Sequence, residues 1–126
     1  MRGAFPLLLC LGLAGCGGSN ADEIVGLGSQ TRFLANQPFI LTVLVQSPPS
    51  CAEIRFDEAE CDVDIDEDAR IIRVNAKVPF EESDGCVPDT GLESLPVDCA
   101  IDALPPGTYT VRSGGSQPFQ APIELF

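Results

Sequence analysis

Beyond residue 23 apolar and polar residues exchange places at every second position in short runs. That is the period of a half-buried strand, and no run sustains the 3.6-residue period of a helix. Ile24–Leu27 is a short first run. Pro38–Gln46 is the strongest, with Phe39, Leu41, Val43 and Val45 on one face and Ile40 and Leu44 on the other. Apolar residues on both faces predict a central or covered strand. Ser47-Pro48-Pro49-Ser50 ends it, because consecutive prolines offer no N–H to a ladder. In Ala52–Asp57 the inward positions are Ile54 and Phe56. Cys61, Val63 and Ile65 then alternate with Asp62, Asp64 and Asp66. Arg70–Val78 turns Ile72, Val74, Ala76 and Val78 inward and Arg73, Asn75 and Lys77 outward. Residues 80–100 read as a long loop, broken by Gly85, Pro88, Gly91 and Pro96. Thr108–Arg112 and Phe119–Leu125, joined through Ser113-Gly114-Gly115-Ser116, are the closing strands. About seven short strands between turn signals predict an all-β fold, a small antiparallel β-sandwich.

The first residues follow another rule. Arg2 precedes an apolar run, Ala4–Ala14, that ends in Gly15-Cys16-Gly17-Gly18. A membrane span needs about 20 apolar residues, so the run is too short for one and has the form of a signal peptide. Leu13-Ala14-Gly15-Cys16 resembles the lipobox of bacterial lipoproteins. The resemblance implies cleavage before Cys16, a diacylglycerol on its sulfur and an acylated amino terminus, palmitate being the usual chain. A plain secretory signal, with Cys16 merely near the cut, is the alternative. Two or more acyl chains hold a protein firmly at a bilayer without spanning it. The organisation expected is a signal peptide over 1–15, a lipid-anchored flexible tether over 16–23, and a β-sandwich over 24–126. Lipoproteins retained at the inner membrane of many Gram-negative bacteria carry Asp after the cysteine. Gly17 stands there instead, so the resemblance favours the outer membrane, at its periplasmic or surface face.

A second resemblance is local. Leu104-Pro105-Pro106-Gly107-Thr108-Tyr109-Thr110-Val111 resembles the approach to a late strand in immunoglobulin-like and fibronectin-type domains. There a tyrosine after a Pro-Gly turn packs its ring inward and bonds its hydroxyl to nearby backbone, which makes Tyr109 the candidate for that corner. Fibronectin-type domains usually place one more residue between the Gly and the Tyr, and the core tryptophan of antibody domains is absent.

Composition narrows the chemistry. Without Arg2 the chain keeps six basic and nineteen acidic side chains, a formal charge near −13, which disfavours nucleic acid and anionic headgroups as partners. No histidine is present, so every Ser-His or Cys-His nucleophile is excluded. Four cysteines remain after Cys10 and Cys16: Cys51, Cys61, Cys86 and Cys99. In an exported domain they read as two disulfides with three pairings open. Cys51–Cys61 with Cys86–Cys99 is favoured, because each pair brackets a turn-rich acidic loop. None of the spacings suits zinc.

Two acidic stretches carry the remaining signal. Asp57–Asp68 holds eight carboxylates and no base, and Asp62, Asp64, Asp66 and Asp68 are its weak calcium candidates. The opening resembles an EF-hand loop. However, Glu67 stands where that loop needs Gly, and Arg73 where it needs a bidentate Glu. As strand residues these aspartates are expected to form a solvated face, with Arg73 and Lys77 across from them. The loop 80–100, pinned by its own disulfide, is the candidate contact surface. The functional expectation is a non-catalytic, lipid-anchored binding or interaction module of the cell envelope with no cofactor, bound to the membrane through Cys16 and, through its acidity, to a basic protein. The alternatives are a calcium-binding structural or adhesive domain and an inhibitor of an exported hydrolase.

Overall fold

The computed structural model describes residues 19–48, 52–82, 94–114 and 118–126. The described residues form ten strands: β1 (Ser19–Ala21), β2 (Ile24–Leu27), β3 (Arg32–Phe33), β4 (Phe39–Gln46), β5 (Ala52–Ile54), β6 (Glu60–Asp66), β7 (Ile71–Glu82), β8 (Ser94–Ile101), β9 (Gly107–Ser113) and β10 (Gln120–Leu125). They form two sheets packed face to face, and the described residues contain no α-helix. The protein is a small β-sandwich.

The smaller sheet has the order β2-β4-β8. The larger is built on β7, whose twelve residues are shared among four neighbours. Its first half pairs with β6 on one side and β9 on the other; its second half pairs with β1 and β5. Beyond β9 the sheet continues through β10 to β3.

Alternation explains the core. Leu41, Val43 and Val45 of β4, Ile72, Val74, Ala76 and Val78 of β7, and Val97, Cys99 and Ile101 of β8 all turn inward and are buried. Tyr109, Val111, Ile123 and Leu125 complete the packing from β9 and β10. Residues between them on each strand face out, so each sheet has one dry face and one wet one.

Several expectations need correction. The ladder is not purely antiparallel: β7 pairs parallel with β9, and β3 with β10. Strand is more extensive than about seven segments, because β1, β3 and β8 were not among those expected. Ala52–Asp57 is strand only to Ile54; Phe56 sits in a single 3-10 turn and is 52% exposed. That turn carries the chain past β7 between β5 and β6, which removes Phe56 from the inward register.

The tether also ends sooner than residue 23. Ser19, Asn20 and Ala21 pair with Phe80, Pro79 and Val78, and Ala21 is 8% exposed. Farther on, the Gln46 N–H donates to the Glu23 carbonyl at 2.8 Å. An alanine and an isoleucine (Ala21, Ile24) on either side of two acids give this segment enough apolar surface to dock, one strand in each sheet.

The cysteine pairing differs as well. Cys61 on β6 bonds to Cys99 on β8, with an S–S distance of 2.06 Å and Cα atoms 5.4 Å apart. Cys51–Cys61 and Cys86–Cys99 are therefore not the bridges formed. β6 and β8 are edge strands of opposite sheets, and their inward-facing cysteines meet across the side of the sandwich. Proximity in the fold, not in sequence, selects the partners. Cys51 and Cys86 lie outside the described residues.

Candidate functional site

The strand directions give the sandwich two poles. At one, Ser19 opposes Phe80, Ala52 opposes Glu82, and Ser94 opposes Gln46. The chain thus enters the sandwich where β4 ends, β5 begins, β7 ends and β8 begins. Asp22, Glu23, Glu53 and Glu81 surround this pole, and Arg55 forms ion pairs with Glu81 and, at 3.6 Å, with Glu58. A shallow depression of about 200 Å³ opens here, lined by Asn20, Glu23, Gln46, Pro48 and Phe80 among others.

The opposite pole holds the β6–β7 turn (67–70), the β3–β4 turn around Asn36 and the last residue, Phe126. Phe126 N–H donates to the Phe33 carbonyl at 3.0 Å, and its own carbonyl accepts from Ala35 N–H at 2.7 Å. The Arg32 guanidinium lies 4.7 Å from the Phe126 ring centroid and pairs with Glu124 at 3.2 Å. Leu34, Ile40 and Phe126 are each more than half exposed. Beside them a depression of about 230 Å³ is lined by Gly28, Ser29, Gln30, Phe33, Ile40 and Thr42. Residues 30–36 were absent from the expected elements. Their signal was the single inward Phe33, which stacks on Phe39 with ring centroids 4.6 Å apart.

The Tyr109 corner takes the form its resemblance implied. The ring is 1% exposed and the hydroxyl donates to the Pro105 carbonyl at 3.0 Å. The Arg70 guanidinium lies 5.7 Å from the ring centroid, and Nη1 donates to the Pro106 carbonyl at 3.4 Å. Gly107, at φ 146°, makes room for this: a Cβ there would fall 1.6 Å from Arg70 Nη1. Arg70 itself adopts φ 57° to close the turn after β6, and its carbonyl accepts from Thr110 N–H at 2.9 Å.

The carboxylates of β6 form a ladder rather than a cage. Glu60 faces Lys77, Asp62 faces Asn75, and Asp64 faces Arg73 in register. Arg73 in turn neighbours Arg112, whose Nε donates to Gln120 Oε1 at 3.2 Å. Residues two apart on a strand stand about 6.6 Å from each other, too far for Asp62, Asp64 and Asp66 to close on one cation. Asp66 is committed elsewhere, accepting from Ala69 N–H at 3.1 Å, while Asp68 sits in the turn. Among the described residues no three His, Cys, Asp or Glu side chains are grouped to hold a metal ion.

Ten of the twenty-one residues in the expected contact loop, 80–100, are strand. Phe80–Glu82 ends β7 and Ser94–Ile101 is β8, leaving 83–93, which lies outside the described residues, as does Cys16. Among the described residues no helix is long and apolar enough to cross a membrane. No protein-family model matches the chain, and searches of curated proteins and of solved structures find no match.

Proposed function

We propose that this chain is a lipid-anchored protein of the bacterial cell envelope, with the outer membrane its favoured site, and that its β-sandwich is a non-catalytic binding module. The observation that carries the reading is the junction at Leu13-Ala14-Gly15-Cys16, which falls just ahead of the first strand at Ser19. Cleavage before Cys16 keeps every described strand, from Ser19 onward, in the mature chain and leaves an acylable cysteine three residues ahead of the first. The disulfide between Cys61 and Cys99 agrees with an oxidising, exported location. The formal charge near −13 favours a basic protein as partner, and β6 with its turn brings six carboxylates between Glu60 and Asp68 to it.

Intact-mass measurement on protein extracted from membranes tests the anchor. The expected mass is that of residues 16–126 plus a diacylglycerol and a further acyl chain. An intact Met1, or an unmodified Cys16 sulfur, overturns the proposal.

A further inference from the structure

We infer that the sandwich stands end-on against the bilayer, with the pole that carries Ser19, Glu53 and Glu81 facing the headgroups. This rests on the proposed acylation of Cys16 and adds an orientation to it. Only Gly17 and Gly18 separate Cys16 from β1. Three peptide steps span at most about 11 Å when fully extended. Ser19 cannot drift from the sheet without breaking its pairing with Phe80 and drawing Ala21 out of the core.

The opposite pole is far beyond that reach. The twelve residues of β7 run from the turn at 67–70 to the anchored pole, a length of about 36 Å. The short tether keeps the pole at Ser19 within about 11 Å of the membrane, and the upright orientation then points Asn36, Asp68 and Phe126 into the aqueous compartment. Both ends of the β7–β8 connection, Glu82 and Ser94, are on the membrane side. Asp22, Glu23, Glu53 and Glu81 would repel an anionic surface, so the bilayer that fits this pole is one of zwitterionic headgroups.

NMR of the isotopically labelled, acylated mature protein in nanodiscs provides the test. The discs contain zwitterionic lipid and a small fraction of lipid with a paramagnetic headgroup chelate. Amide signals of Asn20, Glu53 and Glu81 are expected to lose most of their intensity relative to a diamagnetic chelate, while those of Asn36, Asp68 and Phe126 keep theirs. Inserting about twelve Gly and Ser residues between Gly18 and Ser19 makes a flexible spacer with a root-mean-square span of about 20 Å. That spacer should restore the intensities at the anchored pole. Equal loss at both poles of the native-length protein, or earlier loss at Asp68 and Phe126, overturns the orientation and leaves the anchor standing. A protein that elutes apart from the discs, with no loss anywhere, overturns the anchor and the orientation together.

Discussion

Replacing Cys61 and Cys99 by alanine tests how much of this fold depends on joining its two sheets at one side. The bridge closes a loop with a sequence separation of 38. On the chain-entropy estimate, that closure is worth about 4 kcal/mol at 25 °C, against about 3 kcal/mol for the roughly ten-residue loop a Cys51–Cys61 bond would close. Cys99 is fully buried, so truncating it adds about 1 kcal/mol of lost packing. The double variant is therefore expected to unfold with about 5 kcal/mol less stability, a large share of the roughly 5–15 kcal/mol of an ordinary domain. Urea unfolding of the mature chain with Cys16 replaced by serine measures this, the midpoint falling and the m-value rising as the released denatured chain expands. A loss below about 1 kcal/mol would refute the entropy argument. A non-reducing digest that yields a Cys51–Cys61 peptide would refute the pairing on which it stands.

Further outcomes follow from single positions. Tyr109→Phe keeps the ring and removes the hydrogen bond to Pro105. It should cost about 1 kcal/mol and lower Tm by about 4–8 °C, read by calorimetry. Gly107→Ala should cost more than that, because alanine is strained at φ 146° and collides with Arg70. In an Arg70→Ala background the penalty shrinks without vanishing, which a double-mutant cycle in urea checks. Asp62→Asn and Asp64→Asn each change stability by less than about 0.5 kcal/mol, and millimolar calcium leaves the melting temperature of the parent protein unmoved. With Cys61 and Cys99 joined, the pairing left for the other two cysteines is Cys51–Cys86, and peptide mapping under non-reducing conditions should recover it.

Much of the sandwich was legible in the chain because its strands obey period two. The inward sets of β4, β6 and β7 lie where alternation put them, β9 and β10 fall on the two closing strands expected, and the Pro-Gly approach to Tyr109 marks the corner. What escaped has physical reasons. Leu95, Val97, Cys99 and Ile101 alternate as cleanly as any strand, but Pro96 and the surrounding acids read as loop. An edge strand tolerates a proline that a central one would not. β1 and β3 are two or three residues long and owe their place to single buried side chains, Ala21 and Phe33. The parallel contact of β7 with β9 joins residues nearly forty positions apart, and no local signal announces it. The same holds for the disulfide, since sequence proximity is a poor guide when cysteines sit on edges that the topology brings together. The proposed anchor at Cys16 rests on a local motif, and the proposed contact surface on residues that no motif marks.

The acidic rim of β6 acquires a further meaning if the proposed anchor places copies of the protein on one membrane. Molecules confined to two dimensions and held upright meet flank to flank far more often than they would in free solution. Among the described residues the flank presented by β6 pairs with β7 alone. Glu60, Asp62 and Asp64 place like charges against like charges whenever two such flanks approach, and self-association along that seam is opposed. On the proposed anchor these carboxylates would act as lateral spacers, keeping a dense film of the protein from zipping into a continuous sheet.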